Sequence, residues 1–290
     1  MKDFPCPICG SEEFKVMWPD TLQGKLPSFD YNFTKNYNST YRMLRCKICT
    51  HTYGSPRPSN LWSQYITDRP DPIYLKNEEQ RVETGKAVIK FLRKYKKSGK
   101  LLDVGCATGD FLSVAKKYYE VEGLELSKWA SNIATRKGFV IHQKILQDMV
   151  VPNSYDIITL WGVIEHFEYP KDEIKNIYRI LRKGGIVCVW TPDVGSLLAN
   201  ILGKNWWNHQ GQHIQMFTKE SMRKLFEDLG FTTEFIGLYP YSVTASSLAN
   251  SLSRYPAISQ IAAPFLKNKA LSGLSFTLKI PGEMFAIFKR

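Results

Sequence analysis

Short apolar runs alternate with amphipathic stretches through the middle of the chain. Each run has the length of a buried strand, and a segment with helical periodicity usually follows it. The predicted strands are 100–104, 121–126, 139–142, 155–161 and 186–190, and the predicted helices are 112–119, 127–137 and 171–182. Repeated alternation of this kind is typical of an α/β fold with a doubly wound, mostly parallel sheet.

The flanking segments extend this pattern. An apolar stripe predicts a helix over 76–97, and we expect two further strands at 232–238 and 283–289. Residues 240–281, between these strands, contain no acid and have apolar residues at helical spacing. A basic, apolar insertion of this kind could rest on a membrane surface and reach a lipid-linked molecule, or it could pack on the protein as a helical cap.

Four of the six cysteines form two matched pairs near the N-terminus. Cys6 and Cys9 flank one two-residue turn, and Cys46 and Cys49 flank another. Two such turns direct four thiolates inward, and four thiolates are a ligand set typical of structural zinc. We therefore predict a zinc-ribbon-like module, interrupted by a long insertion between the pairs. A redox dithiol or unrelated buried cysteines would not explain two matched pairs.

A glycine-rich turn follows the first strand of the predicted core. Gly105, Ala107 and Gly109 lie between this strand and a helix, where a ligand can approach the backbone at the helix N-terminus. The next strand ends in Glu125, about 20 residues later, where a carboxylate can accept hydrogen bonds from ribose hydroxyls. The turn lacks the G-x-G-x-x-G pattern of nicotinamide enzymes. These features predict a nucleoside-bearing ligand of another kind.

Further motifs accompany this turn at 155–161, 163–166 and 181–185. As a set they resemble the class I S-adenosylmethionine-dependent methyltransferases, over about residues 76–239 and the last strand. This resemblance implies a Rossmann-like sheet and S-adenosylmethionine as the methyl donor. The tryptophans, histidine and phenylalanine of segment 206–217 look like the branch that methylates small molecules and sugars.

The resemblance also implies roles for single residues. Asp103 would orient the turn or reach the cofactor's amino group through water, and Glu125 would hold the ribose with Leu126 against the adenine. Trp161 would face the sulfonium. The residues expected to bind the cofactor are Asp103, Gly105, Cys106, Ala107, Gly109, Glu125, Leu126, Gln147, Asp148 and Trp161.

Two positions depart from the family's usual pattern. Ala107 replaces a commoner glycine and adds one methyl group beside the cofactor. Gly162 lies where the ubiquinone-pathway relatives carry an extra acid that completes a metal site. We therefore do not expect a catalytic metal.

Methyl transfer to a hydroxyl requires alignment of the reactants and removal of a proton. Histidine is suited to proton removal because its pKa lies near neutrality. His166, His209 and His213 are candidates, and we favour His166 or His213 as the general base. The alternatives are that His166 orients its neighbours at a helix start and that His213 bonds the backbone of its own segment.

Charge is distributed unevenly along the chain. The formal net charge is +12, yet residues 101–200 carry 11 basic and 12 acidic groups, so the excess lies in the flanks. Basic flanks suggest an anionic partner, such as nucleic acid, a nucleotide-sugar, a lipid phosphate or an anionic bilayer, or they serve solubility alone. No apolar run approaches the roughly 18 residues of a membrane span. The N-terminus has no signal-peptide pattern, so we expect a cytoplasmic protein, peripheral at the inner membrane face if 240–281 binds lipid.

The predicted organisation is a zinc-ribbon-like module at 1–58, a linker and helix at 59–99, and a methyltransferase domain at 100–290. Within this domain, 200–218 would form a lid and 240–281 an insertion. We expect transfer of a methyl group to a hydroxyl of a small molecule or sugar, including a nucleotide- or lipid-linked glycan. The alternatives are an RNA methyltransferase that grips phosphates with its zinc module and basic flanks, and a non-catalytic cofactor-binding protein.

Overall fold

The computed structural model describes residues 3–23, 25–27, 39–66, 68–244 and 275–290. It contains a seven-stranded sheet, whose strands are β4 (Lys100–Val104), β5 (Glu120–Leu124), β6 (Val140–His142), β7 (Tyr155–Trp161), β8 (Leu181–Pro192), β10 (Thr232–Thr244) and β11 (Ser275–Lys289). Their order in the sheet is β10-β11-β8-β7-β4-β5-β6. Strands β6, β5, β4, β7 and β8 pair in parallel, and β11 and β10 add antiparallel pairs. The predicted mostly parallel α/β fold is confirmed.

Helices cover both faces of this sheet, because successive residues of each central strand point to opposite sides. The α2 and α3 residues Val88, Leu92 and Leu112 pack in one core cluster, and Ile174 and Ile177 of α5 belong to another. The helices are α1 (Pro72–Lys76), α2 (Glu78–Leu92), α3 (Asp110–Ala115), α4 (Lys128–Arg136), α5 (Pro170–Ile180), α6 (Leu197–Leu202) and α7 (Lys219–Glu227). None of the helices in the described part of the chain is long and apolar enough to cross a bilayer.

Strands β10 and β11 are longer than the sequence predicts. They remain paired from Pro240 opposite Lys279 to Thr244 opposite Ser275. Both ends of the predicted 240–281 insertion are therefore strand, since 239–244 is rich in the aromatic and β-branched residues that strands favour. The proline is accommodated at a register shift next to Leu238. The predicted helical positions between 245 and 274 lie outside the described residues.

A second, smaller sheet joins the N-terminal segment to the predicted lid. Its strands are β1 (Phe14–Trp18), β2 (Met43–Cys46), β3 (Thr52–Gly54) and β9 (Gln215–Met216), in that order. Strand β9 comes from segment 200–218 and pairs antiparallel with β3. The N-terminal segment and the lid segment therefore share one hydrogen-bonded sheet.

Candidate functional site

The glycine-rich turn follows β4 at the carboxyl edge of the large sheet, where its backbone is left-handed at three positions. Gly105 has φ +70°, Ala107 φ +46° and Gly109 φ +75°. A Cβ atom on Gly105 would lie 2.7 Å from Val163, and one on Gly109 would lie 2.9 Å from the Phe139 ring. Glycine is therefore required at both ends of the turn. Ala107 adopts the same region at a cost of about 1–2 kcal/mol.

Glu125 follows β5 and holds the turn in place. Its Oε2 accepts the Ala107 N–H at 2.9 Å, and its Oε1 accepts the Ser127 N–H at 2.8 Å, just before α4. The buried carboxylate thus lies where the sequence predicts ribose recognition, and it also fastens the turn.

Asp103 is buried within β4, and its Oδ1 accepts a hydrogen bond of 2.6 Å from Thr159 Oγ1 on β7. Burial raises the pKa of Asp103 to about 8. This carboxyl therefore connects β4 to β7 below the turn. Next to the turn, the buried Cys106 thiol fits because Gly123 leaves room: a Cβ there would lie 2.4 Å from Cys106 Sγ.

The remaining predicted cofactor residues lie around the same edge. Leu126 is partly buried after Glu125, whereas Gln147 and Asp148 are exposed in a short 3-10 helix after β6. The Gln147 amide donates to Glu173 of α5 and not to the turn. The turn and Glu125 are therefore hydrogen-bonded to each other, while Gln147 and Asp148 lie beside them on a separate element.

An ion pair next to the turn has no sequence motif. The carboxylate of Asp110, the first residue of α3, accepts hydrogen bonds from Arg81 Nε at 2.7 Å and from Lys137 Nζ at 2.8 Å. The Arg81 guanidinium also stacks over the Tyr74 ring, 3.6 Å from its centroid. These contacts fix the α1–α2 corner beside the glycine-rich turn, in a segment predicted only as linker and helix. The sequence feature that could have predicted α1 is Asp71 followed by Pro72, a pair typical of a helix start. In the structure, Asp71 Oδ1 accepts hydrogen bonds from the N–H groups of Ile73 and Tyr74.

The two favoured histidines meet at this edge. The rings of His166 and His213 pack edge to face with centroids 5.1 Å apart. Nitrogen atoms of both rings and a carboxylate oxygen of Glu165 all lie within 4.8 Å of one another. His166 Nδ1 lies 2.9 Å from the Gln212 carbonyl, and His213 Nδ1 lies 2.8 Å from the Asn208 carbonyl. The two carbonyls therefore hold the rings in place and favour a proton on each Nδ1.

Burial sets the charge of this cluster. It lowers the pKa of His166 to about 4 and, with a smaller contribution from His166, that of His213 to about 3. Burial also raises the pKa of Glu165 to about 8, although its Oε2 accepts a hydrogen bond of 2.9 Å from Thr191. At neutral pH both histidines are therefore uncharged and can accept a proton, but each is a weaker base than an imidazole whose pKa lies near neutrality.

His209 is not a member of this cluster. It packs on Trp18 with ring centroids 4.4 Å apart, and its Nε2 lies 3.2 Å from Thr40 Oγ1. These contacts join the lid segment to the N-terminal module. Of the three candidate histidines, the structure thus brings together only His166 and His213.

Tyr65 is a further neighbour of the histidine pair that sequence reasoning missed. Its ring packs edge to face on His166 with centroids 5.7 Å apart. Burial raises the pKa of Tyr65, and the charges of Glu165 and Glu125 add to this effect. The phenol therefore lies close to both the histidine cluster and the predicted ribose-binding carboxylate. It is part of a short 3-10 helix, Leu61–Tyr65, in a segment without a recognisable motif.

Aromatic side chains line the sheet edge on the other side of the turn. Trp161 and Trp190 are register partners on β7 and β8, and Tyr239 packs on both, with centroids 6.4 and 5.1 Å away. Glu283 of β11 accepts a hydrogen bond of 2.9 Å from Trp190 Nε1, and burial raises its pKa to about 7. We call Trp161, Trp190, Tyr239 and Glu283 the aromatic wall. Only Trp161 was predicted here, because the other three come from strands that meet it only in the fold.

The four paired cysteines come together as predicted. Cys6 Sγ lies 3.5 Å from Cys49 Sγ, Cys9 Sγ lies 3.5 Å from Cys46 Sγ, and all four sulfurs lie within 4.8 Å of one another. None forms a disulfide. Tetrahedral zinc with Zn–S bonds of about 2.3 Å would separate its sulfurs by about 3.8 Å. The donor set therefore fits a structural zinc site, and His51 is not part of the sulfur cluster.

Comparison with known proteins supports the fold and gives the family. An uncharacterized protein of Methanocaldococcus jannaschii is 27% identical over 117 residues, which are 40% of this chain and 56% of that protein. The chain thus spans little more than half the length of this relative. A S-adenosylmethionine-dependent methyltransferase structure from Archaeoglobus fulgidus has a TM-score of 0.54 and 20% identity, over 76% of this chain and 100% of that one.

A Thermotoga maritima structure described as a possible histamine N-methyltransferase has a TM-score of 0.50 and 18% identity, over 75% of this chain and 93% of that one. At these identities the two structures show a shared fold. The family described as methyltransferase domain matches residues 76–234, more than half of the chain. The matched region holds the glycine-rich turn, Glu125 and both favoured histidines, and the chain therefore belongs to the methyltransferase domain family.

Proposed function

We propose that this chain transfers the methyl group of S-adenosylmethionine to a hydroxyl of a small molecule or sugar. Membership of the methyltransferase domain family supports methyl transfer. The observation that carries the choice of a hydroxyl is the pair of neutral histidines, the partly buried His166 and the buried His213, which pack on each other next to the predicted cofactor site. A hydroxyl must lose its proton during methylation, and a neutral imidazole is suited to accept it.

The cofactor edge supports S-adenosylmethionine as the donor. The left-handed, glycine-flanked turn lies between β4 and α3, and the Glu125 carboxylate follows the neighbouring strand at the same edge of the sheet, where open α/β sheets bind nucleoside-bearing ligands. When bound, S-adenosylmethionine supplies a methyl group already activated by its sulfonium. The chain therefore has to hold donor and acceptor in line and to remove one proton.

His213 is the residue we assign as general base. Its Nδ1–H donates to the Asn208 carbonyl, which leaves the basic lone pair on Nε2. His166 is bonded by the backbones of both Gln212 and Gly162, which favours a role in holding the His213 ring. In this assignment the acceptor hydroxyl gives its proton to His213 Nε2.

The aromatic wall is our proposed acceptor surface. It lies on β7, β8, β11 and β10, on the opposite side of β4 from Glu125. Flat rings can bury the apolar face of a sugar, and the Glu283 carboxylate can accept hydrogen bonds from its hydroxyls. The basic flanks favour an acceptor with a phosphate group, such as a nucleotide- or lipid-linked glycan. This reaction would take place in the cytoplasm.

The experiment combines the purified full chain with methyl-labelled S-adenosylmethionine and a lysate of its source, with and without RNase. We expect label in small-molecule or organic-extractable material that survives RNase. His213→Asn should reduce the labelling rate by roughly 10²–10⁴-fold. His142→Asn is the matched control, since that histidine lies on β6 outside the cluster and pairs with Glu122, and it should retain the rate.

Two results would count against this proposal. Label that RNase converts to acid-soluble material would make the chain an RNA methyltransferase. Equal rates in His213→Asn and wild type would remove His213 as the base and leave proximity and orientation as the source of the rate.

A further inference from the structure

We call the N-terminal segment with the four paired cysteines and strands β1 to β3 the cysteine module. Gln215 connects this module to the loop that carries His166. It is the first residue of β9 and is fully buried. On one side, its Oε1 accepts a hydrogen bond of 2.8 Å from Nε2 of the equally buried His51. On the other side, its amide donates to the carbonyls of Phe167 at 3.0 Å and Glu168 at 3.4 Å. The two carbonyls accept only, so they fix the orientation of the amide.

One end of this bridge is His51, beside the cysteine cluster, and the other is the backbone next to His166. His51 follows Cys49 closely, and its backbone carbonyl accepts the N–H of Cys46 at 2.9 Å, so its position depends on the cysteine turn. Phe167 directly follows His166. The segment that leads into β9 also carries the Gln212 carbonyl, which bonds His166 Nδ1. A displacement of Gln215 would therefore reach His166 through both the Phe167 and the Gln212 backbones.

The backbone follows the same route. Thr52 and Tyr53 of β3 pair with Met216 and Gln215 of β9. The position of the lid segment therefore depends on the edge strand of the cysteine module. The side-chain bridge and the strand pair act on the same residues. Removing one partner of a buried amide leaves the amide unsatisfied and costs its full desolvation penalty. The hydrogen bonds of Gln215 are therefore expensive to break, and they hold its partners in place.

We propose that Gln215 is a positioning residue that makes the placement of the His166–His213 pair depend on an intact, metal-loaded cysteine module. This inference rests on the proposed function for its catalytic consequence, but the placement itself can be measured without an acceptor. The cysteine module is then more than a separate stabilising unit, because one wall of the methyl-transfer site is built on it.

The first measurement uses the five histidines of the chain as probes. Long-range ¹H–¹⁵N spectra of the full chain bound to S-adenosylhomocysteine report the tautomer and environment of each ring. Gln215→Met keeps the length of the side chain and removes its hydrogen bonds. We expect it to shift the signals of His51, His166 and His213 and to leave that of His142 unchanged.

Thr50→Val is the matched control. Thr50 Oγ1 also joins the cysteine module to the rest of the chain, through Thr218 Oγ1 at 2.7 Å and Glu220 at 3.3 Å, but it does not lead to His166. We expect this variant to keep the His166 and His213 signals of the wild type. Both variants should retain one zinc per chain and their affinity for S-adenosylhomocysteine.

With an acceptor from the labelling experiment, Gln215→Met should lower kcat by roughly 10–100-fold with little change in KM, as expected for misplaced catalytic groups. Removing zinc from the wild type with a chelator should shift the same histidine signals. Removing zinc from Gln215→Met should shift them little further, because both changes interrupt the same link. The chelation result stands even if Gln215→Met does not fold.

The inference fails if the His166 and His213 signals are unchanged in Gln215→Met and in the chelated wild type. It also fails if Thr50→Val shifts them equally, because the link would then be general packing. A chain that shows the expected shifts but methylates nothing would contradict the proposed function and leave the positioning role intact.

Discussion

Glu125 combines a predicted binding role with a structural one. Glu125 is predicted from its place after β5 to hold a ribose, and in the structure it also accepts the N–H of Ala107. That hydrogen bond holds Ala107 in a left-handed conformation that non-glycine residues rarely adopt. The predicted ribose-binding carboxylate therefore also stabilises the strained turn.

Glu125→Ala should accordingly weaken cofactor binding by more than a surface contact would. The loss of charge-assisted hydrogen bonds predicts roughly 1.5–3 kcal/mol, measured as S-adenosylhomocysteine affinity by calorimetry. Glu122→Ala is a suitable control, because Glu122 lies on β5, the strand that Glu125 follows, but pairs with Lys100 and His142. Equal affinities in Glu125→Ala and wild type would contradict the ribose assignment.

How well a residue could be predicted depends on how local its partners are. The glycine-rich turn, Glu125 and the cysteine pairs were accessible because spacing over a few residues determines them. Tyr65, Gln215 and Glu283 were not, since each acquires its role from a partner about 100 residues or more away in sequence. Their local sequence carries no motif, and only the folded sheet brings them to the site.

At the scale of elements, the small sheet is the feature that the sequence concealed. Strands β1 to β3 lie in the segment predicted as a zinc-ribbon-like module, whereas β9 has only two residues and lies in a segment predicted as a lid. Two residues are too few for a strand periodicity to be recognised. The lid and the cysteine module were therefore predicted as separate units, although they share hydrogen bonds.

Cys46→Ser tests whether the cysteine cluster supports this sheet. We expect a lower zinc content per chain, because three thiolates hold the ion less well than four. We also expect faster amide exchange in β3 and β9 together, since the two strands share hydrogen bonds. Cys188→Ser, a buried cysteine outside the cluster, should leave zinc content unchanged, and an unchanged zinc content in Cys46→Ser would contradict the zinc site.

At the scale of the whole molecule, buried titratable groups make stability depend on pH in two opposite ways. The pKa values of His166 and His213 are lowered to about 4 and 3 by burial, so between about pH 4 and 6.5 the unfolded chain holds protons that the folded chain has lost. Those of Asp103 and Glu165 are raised to about 8 by burial, so the folded chain holds their protons between about pH 4 and 8. The histidines thus make the free energy of unfolding rise with pH between about 4 and 6.5, and the two carboxyls make it fall between about 4 and 8.

A double variant separates the two contributions. As the pH falls from about 6.5 to 4, the histidines should lower the free energy of unfolding of the wild type relative to that of His166→Asn/His213→Asn. Urea unfolding followed by tryptophan fluorescence at several pH values measures this difference. Parallel pH profiles for the two proteins would show that the histidines titrate normally and are not buried as described.

The pairing of β3 with β9 also has a consequence for the order of assembly. His51 and Gln215 are 164 residues apart, and at about 5–20 residues per second synthesis of the intervening chain takes roughly 10–30 s. During that interval β3 is an open edge strand, able to pair with another chain. Although the cysteine module is synthesised first, its sheet closes only after most of the large sheet has been made.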